Sequence, residues 1–184
     1  NVKSGGFITA TIKVPDGVGG QSVTNYKYEH GLVHMTARGF VGFDKVTTFN
    51  TTTDIRSEQY FDISPYYTRR KLEEKTFLNT SNQLLSHTSY NITYDNTIST
   101  CFYEKLNGIT EYNGLTGATN TTSNTYNNNG NITQSVVNIN NVETITTNTT
   151  YTTTANGLEK PSYINTVRTR TGSATLTDNV SFTY

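Results

Sequence analysis

Three histidines, one cysteine and a few acids are the side chains here with the chemistry for a catalytic or metal centre. His30 and His34 stand four apart, so a continuous strand would carry both on one face, with Glu29 or Asp44 as further donors. A metal centre needs more ligands at compatible spacing, and none follows. With Gly31 between them, the two read as ordinary turn and strand histidines. His87 is isolated among polar residues, without a visible partner. Cys101 lies in Ser99-Thr100-Cys101-Phe102-Tyr103, where it reads as a small buried apolar residue, and nothing in the spacing favours a dyad with His87. As the only cysteine it makes no internal disulfide. Glu73, Glu74, Glu104 and Glu111 offer carboxylates for glycoside hydrolysis, which requires two acids at a fixed separation across a cleft. On alternating strands they read as solvated faces. Pro15-Asp16-Gly17-Val18-Gly19-Gly20 lacks the Lys-Ser/Thr ending and following helix of a phosphate loop, so it reads as a turn. No catalytic residue, metal ligand or cofactor is expected.

Tyr26, Tyr28, Tyr60, Tyr66, Tyr67, Tyr90, Tyr94, Tyr103 and Tyr112 offer another chemistry, the stacking of sugars on aromatic rings. In paired strands such residues more often pack against cross-strand neighbours. Trp, which suits sugar platforms, is absent. A carbohydrate-binding or adhesive β module, with glycans as partners, is the second reading. Asn-x-Ser/Thr triplets begin at Asn79, Asn91, Asn120, Asn131, Asn148 and Asn179, as chance dictates in a chain so rich in Asn and Thr.

The elements that position these residues follow from composition and periodicity. Net charge is zero and 15% of residues are charged, which excludes a nucleic-acid partner bound through a basic face. No run approaches the ~18 apolar residues of a membrane-spanning segment, and no signal peptide is visible. Thr, Tyr, Phe, Val and Ile suit a pleated, half-buried surface, while Asn and 14 Gly supply turns. The chain reads as all-β. Phe7 to Val14 alternates, and Ser22 to His30 and Leu32 to Arg38 follow around a turn at Glu29-His30-Gly31. Ile55 to Phe61 alternates again up to a break at Pro65. Arg69 to Lys75 admits a short helix with Arg69–Glu73 and Arg70–Glu74 pairs, but a strand leading to a turn at Asn79–Asn82 and then Gln83–Tyr94 accounts for more of the sequence. Beyond it, turns are expected at Asn107-Gly108, Asn140-Asn141 and Asn156-Gly157. Strands run from Ile98 to Lys105, Ile109 to Leu115, Ile132 to Ile139, Val142 to Thr154, Ser162 to Thr169 and Ala174 to Tyr184.

Two stretches carry a family resemblance. Arg38-Gly39-Phe40-Val41-Gly42-Phe43-Asp44-Lys45-Val46-Thr47, after a Tyr26-Lys27-Tyr28-Glu29 strand, resembles the Gly-Arg-Gly-Phe-Leu-Gly-Phe segment of SpvB/TcB-type and Rhs (YD-repeat) proteins. Phe61 to Pro65 resembles the Phe-Pro segment that follows it there. Tyr126-Asn127-Asn128-Asn129-Gly130-Asn131-Ile132 resembles the YD-repeat core, Tyr-Asp-x-x-Gly-Asn and a branched apolar residue, with Asn127 in place of Asp. Phe40 and Phe43 are an odd number of positions apart, so a bulge is needed to bring both rings to one side. In the repeat core the tyrosine packs on its neighbour, the Asp or Asn caps the turn and the glycine takes positive φ.

The resemblance implies consecutive antiparallel β-hairpins in a curved, open, repeat-type sheet like the Rhs/YD-repeat shell, not a closed sandwich. Residues 1–68 would be an N-terminal β-meander carrying the glycine-phenylalanine motif and 69–184 a YD-repeat-like hairpin array, one continuous unit cut from a larger protein. The structural motif residues are Arg38, Gly39, Phe40, Gly42, Phe43, Tyr126, Gly130 and Asn131. The implied role is a non-catalytic segment of a large bacterial, secreted or surface-associated protein that encloses a toxin. Its partners would be neighbouring repeats and the enclosed effector domain. The family's self-cleaving Asp-Pro-Gly-rich segment is not present, so no catalytic residue carries over. Edge strands of such a sheet offer a route to edge-to-edge dimers.

Overall fold

The computed structural model describes residues 8–34, 39–63, 69–95 and 103–183. These form twelve strands: β1 (Thr11–Pro15), β2 (Gln21–His34), β3 (Gly39–Asn50), β4 (Ile55–Ile63), β5 (Arg69–Leu78), β6 (Gln83–Asp95), β7 (Tyr103–Asn113), β8 (Thr119–Tyr126), β9 (Ile132–Ile139), β10 (Glu143–Thr153), β11 (Glu159–Arg170) and β12 (Leu176–Ser181). Strand order in the sheet is sequence order, so every strand bonds to its neighbours in the chain. The sheet is open, all-β and built of antiparallel hairpins, as the sequence leads one to expect. Arg38 lies outside the described residues, as do Pro65, Tyr66, Tyr67, Cys101 and Tyr184. The chain groups into two compact units, residues 1–89 with 113–116 and residues 90–112 with 117–184.

Where the fold departs from expectation, a single residue explains each difference. The turn expected at Glu29-His30-Gly31 does not form. His30 takes a left-handed φ of 49° and Gly31 goes on to pair with Phe43, so the strand twists and continues to His34. The Asn107-Gly108 turn is likewise absent. Both residues lie inside β7, where Gly108 pairs with Ser123 and a Cβ on it would stand 2.9 Å from the Thr122 carbonyl. Here glycine serves close strand approach instead of chain reversal. The chain turns after Asn113, whose side-chain oxygen accepts from the Leu115 and Thr116 amides. β8, with the sequence Thr-Asn-Thr-Thr-Ser-Asn-Thr-Tyr, was not anticipated, because it has no apolar alternation to betray it. The strand over 69–75 and the turns at 79–82, 140–141 and 156–157 form as expected.

Two local devices recur. The first is a five-residue loop. At Asp16–Gly20, Asn127–Asn131 and Thr154–Leu158 the first amide donates to the fifth carbonyl, at 3.1, 2.9 and 2.8 Å. The fourth residue is always a glycine with φ between 82° and 94°, namely Gly19, Gly130 and Gly157. The second is a staple between successive hairpins. The first residue of a turn donates its amide to a carbonyl of the hairpin before it. Thr51 bonds Val23 at 3.0 Å, Asn79 bonds Asp54 at 2.8 Å and Gly114 bonds Leu85 at 2.8 Å. In the second unit Asn140 bonds Thr119 and Thr171 bonds Val142, both at 2.9 Å. A lone hairpin is marginal in water. These bonds give each hairpin a neighbour that satisfies its end groups.

Among the described residues no hydrophobic side chain is fully buried. Most strand positions are half-buried, and Ile8, Val14, Leu115, Leu158 and Leu176 stay exposed. The fold therefore rests on backbone ladders and cross-strand pairs, not on an enclosed core.

Gly114 is the most constrained staple. A Cβ there would lie within 1.9 Å of the Leu84 carbonyl oxygen, a backbone atom that cannot move aside cheaply. Gly114→Ala is expected to cost about 2–4 kcal/mol in urea unfolding, in the range of severe steric substitutions. Gly157→Ala, strained only by its φ, should cost about 1–2 kcal/mol. Equal losses would contradict the staple.

Candidate functional site

The glycine-phenylalanine stretch forms a bend in β3. Leu32 pairs with Gly42 but Val33 pairs with Phe40, which leaves Val41 as the extra residue of a bulge. The bulge does what the odd spacing demands: the Phe40 and Phe43 rings meet edge-to-face at 5.0 Å. Phe43 also contacts Tyr28 at 4.8 Å, and Tyr28 stacks near Tyr26 at 6.3 Å. Both phenylalanine rings lie over Gly31, where a Cβ would meet them at ordinary contact distances of 3.4 and 3.5 Å. Gly39 has a φ of 66° and Gly42 a φ of 140°. Arg69 lies across Gly42, where a Cβ would come within 2.7 Å of its Cδ. Its Nε donates to the Phe43 carbonyl at 3.0 Å, and its guanidinium sits 3.3 Å from the Phe61 ring centroid. Burial lowers the Arg69 pKa, and the ring face and the carbonyl replace part of its lost hydration. The second glycine of the motif thus makes a seat for an arginine 27 residues downstream.

Beside this bend one face of the first unit is covered with alternating charge. Lys27 pairs with Glu29 at 2.7 Å, and Lys45 lies between Glu29 and Glu58 at 3.7 and 3.1 Å. Arg56 meets Glu58 at 3.1 Å, and the Tyr60 hydroxyl donates to Glu58 at 2.6 Å. The Tyr60 ring has Lys45 and Lys75 over it, 5.0 and 5.4 Å from its centroid. Lys75 and His87 both reach Glu73, at 2.9 and 2.6 Å. Burial pushes the Glu58 carboxyl up, but hydrogen bonds from Tyr60 and Lys45 outweigh it and hold its pKa below the usual value. At Glu73 burial is again outweighed, by Lys75 and His87. For Lys45, bonds to Tyr60 and Glu58 overcome burial and raise its pKa.

This network absorbs the residues that had chemical promise. His30 Nδ1 lies 3.0 Å from the Asp44 carboxylate, beside an open cleft of about 440 Å³ that Tyr60, Phe61, Leu72 and Glu73 also line. Among the described residues no three His, Cys, Asp or Glu come together as metal ligands. His87 is not isolated, because the β5–β6 register sets it opposite Lys75 and within reach of Glu73. Glu73 and Glu74 are adjacent on β5 and point to opposite faces, so they do not form a hydrolytic pair. Glu74 bonds Lys71 at 2.7 Å and Gln59 at 3.0 Å, and these bonds lower its pKa.

In the second unit the repeat-like core forms the five-residue loop. The Asn127 side-chain oxygen accepts the Asn129 and Asn131 amides, both at 3.0 Å. Its nitrogen donates to Glu159 Oε2 at 2.8 Å, and the Asn131 side chain donates to the same oxygen at 2.6 Å. The Tyr126 hydroxyl donates to the Leu106 carbonyl at 2.8 Å. Tyr151 does the same to Ile132 at 2.9 Å, and in the first unit Tyr28 does so to Thr9 at 3.0 Å. Each of these tyrosines reaches back 19 or 20 residues to a main-chain oxygen on, or just before, the adjacent preceding strand. The departure of Asn127 from Tyr-Asp now has a cause. An aspartate would lose the donor to Glu159 and set two carboxylates together.

Residues 7–75 match the family model described as the insecticide toxin TcdB middle/N-terminal region. The matched stretch holds the bulge, both phenylalanines and Arg69. A crystal structure titled TcdB2-TccC3-Cdc42 contains a chain of similar fold, with a TM-score of 0.59 and 9% identity over 82% of this chain. Over residues 7–75 the chain is thus similar to that toxin region. It spans 12% of that structural neighbour, and at that identity the likeness speaks for the fold alone. None of the curated proteins searched matches the chain.

Sequence reasoning missed Arg69, Gly114 and Glu159. The first two act through partners tens of residues away. Glu159 follows an Asn-Gly turn, which drew attention to the turn and not to the acid beside it.

Three predictions follow from these contacts. Gly42→Val should cost at least about 2 kcal/mol in urea unfolding by displacing Arg69, and Arg69→Ala should recover part of that loss in a double-mutant cycle. Strict additivity would contradict the seat. The pKa values of Glu29, Glu58, Glu73, Glu74, Asp54 and Glu159 are all lowered. Lowered carboxylates contribute stability that is complete above their unfolded pKa, about 4, and is lost as pH falls through the folded values. Melting temperature should be flat from pH 7 to 5 and fall below pH 4. Asn127→Asp should lower it at pH 7 and recover part of the difference near pH 4, where one acid is protonated. A pH-independent difference would contradict the Glu159 contact.

Proposed function

We propose that this chain is a non-catalytic wall segment of a large, secreted or cell-surface Rhs/YD-type protein that encloses an effector domain. The observation that carries the reading is the strand order together with the staples. Hairpins are laid down in sequence order, each tied to the one before, with no hydrophobic core on either face among the described residues. Such a sheet grows by addition of hairpins, and its stability scales with neighbours instead of with an enclosed volume. The fold likeness to part of a much longer chain supports the same reading. Its partners would be the flanking repeats and the enclosed effector.

A glycan-binding module has less support. Tyr28, Tyr126 and Tyr151 use their hydroxyls on main-chain oxygens, and Tyr60 uses its own on Glu58. Tyr163, on β11, is more exposed but gives its hydroxyl to Asn179.

Limited trypsin digestion of the longer protein that contains this segment tests the wall. The enclosed domain should survive protease that degrades the same domain when free, and Gly114→Val should make it sensitive. An enclosed domain digested equally in both proteins would overturn the proposal.

A further inference from the structure

We infer that Asn156 is a self-modification site, where the side-chain amide is displaced by the next main-chain nitrogen and the β10–β11 turn acquires a carboxylate. The Gly157 nitrogen gives its proton to solvent and attacks Cγ of Asn156. The bond from Cγ to Nδ2 breaks and ammonia leaves, which closes a five-membered imide. Water then opens the ring at one of its two carbonyls. One opening gives aspartate, and the other gives isoaspartate, whose main chain runs through the side-chain carboxyl. Water is the only co-reactant. Glycine after the asparagine favours ring closure, because it has no side chain in the way and a wide choice of backbone angles.

The chain has four Asn-Gly pairs, beginning at residues 107, 113, 129 and 156, and the fold restrains them unequally. Asn107 lies within β7, where Gly108 pairs with Ser123 and the Asn107 side chain donates to the Thr93 hydroxyl at 2.7 Å. At Asn113 the attacking nitrogen is the one that staples two hairpins, since the Gly114 amide is held by the Leu85 carbonyl at 2.8 Å. The Leu84 carbonyl crowds the same glycine, so this nitrogen has no room to turn onto its neighbour's side chain.

Asn129 and Asn156 form an internal comparison, because each is the third residue of the same five-residue loop. Gly130 and Gly157 both take a φ of 82°. Each donates its amide to the first carbonyl of its own loop, Gly130 to Asn127 at 3.1 Å and Gly157 to Thr154 at 2.9 Å. The side chains differ. Asn129 hydrogen-bonds the Glu159 carboxylate, whose charge opposes the negative charge that develops on the amide oxygen during attack. Asn156 Oδ1 instead accepts from the Thr154 hydroxyl at 2.6 Å. That hydroxyl has one proton, and Asn156 is nearer to it than the Leu158 carbonyl at 2.8 Å. A donor already aimed at this oxygen stabilises the developing charge. Asn156 and Gly157 are exposed, so water reaches the imide. The turn joins the ends of β10 and β11, away from the outer edges of the sheet.

Peptide mapping of the folded 184-residue chain, incubated at mildly alkaline pH, tests the site. A protease specific for glutamate cuts after Glu104, Glu111, Glu143 and Glu159. It thereby places Asn107 and Asn156 on peptides of their own and Asn113 with Asn129 on a third, where fragment masses tell the two apart. Asn156 should convert first, about fivefold faster than Asn129, which is what one ordinary hydrogen bond is worth. Thr154→Val should slow Asn156 by a similar factor and Thr154→Ser should restore the rate. A loop merely loosened by the valine would react faster, so slowing reports on the hydroxyl. In urea the four sites should converge, which shows that the fold sets their order. Another asparagine converting first overturns the proposal. So does a Thr154→Val chain that reacts as fast as the parent, or an Asn156 that stays intact in the folded chain while the unfolded chain loses its amides.

Discussion

Everything in this fold depends on the main-chain hydrogen bond to the next strand in sequence. A globular domain hides its apolar side chains, and its strands pair within that enclosure. Here the half-buried faces contribute only modest burial, so a strand is held by the ladders on its two sides and by the turn amides that reach the previous hairpin. Each such bond contributes about 1 kcal/mol net. Their effect comes from number and from order in the sequence. Contacts between successive hairpins close short loops, which keeps the entropic cost of each addition low.

Side chains refine this arrangement without replacing it. Tyrosines at 28, 126 and 151 tie their rings to the adjacent preceding strand through one hydroxyl each. Asp16 and Asn127 cap loops of the same shape, although one precedes β2 and the other β9. The charged face of the first unit supplies many contacts of roughly 0–1 kcal/mol, because most of its members remain partly exposed. What these pairs add is register. Glu58 opposite Lys75, with Lys45 beside Tyr60, disfavours a one-residue slip that would carry the charges to the opposite face. The aromatic bend plays a different part. It changes the direction of β3 by a bulge and fixes the change with two phenylalanines, a tyrosine and Arg69.

The sequence revealed what was local. Alternation in 55–61, the Asn-Asn turn at 140–141, the capped loop at 127–131 and the need for a bulge between Phe40 and Phe43 were all legible, because neighbouring residues decide them. Asn107-Gly108 misled because its residues suit a turn equally well as a crowded strand, and only the approach of Thr122 decides between them. β8 was silent because threonine and asparagine face both sides of a sheet that has no dry side. Arg69 and Glu159 stayed hidden for the same reason that makes them useful: each answers a residue on another hairpin. Candidate chemistry was over-represented in the sequence, since His87 and Glu73 pair with each other.

Residue-resolved hydrogen–deuterium exchange at neutral pH tests the central claim most directly. If the ladder and its staples hold the fold, the amides of Thr51, Asn79, Gly114, Asn140 and Thr171 exchange as slowly as the strands they join, and protection extends through the interior strands of each unit. Turn amides exchanging at free-peptide rates, with protection confined to one isolated hairpin, would contradict it.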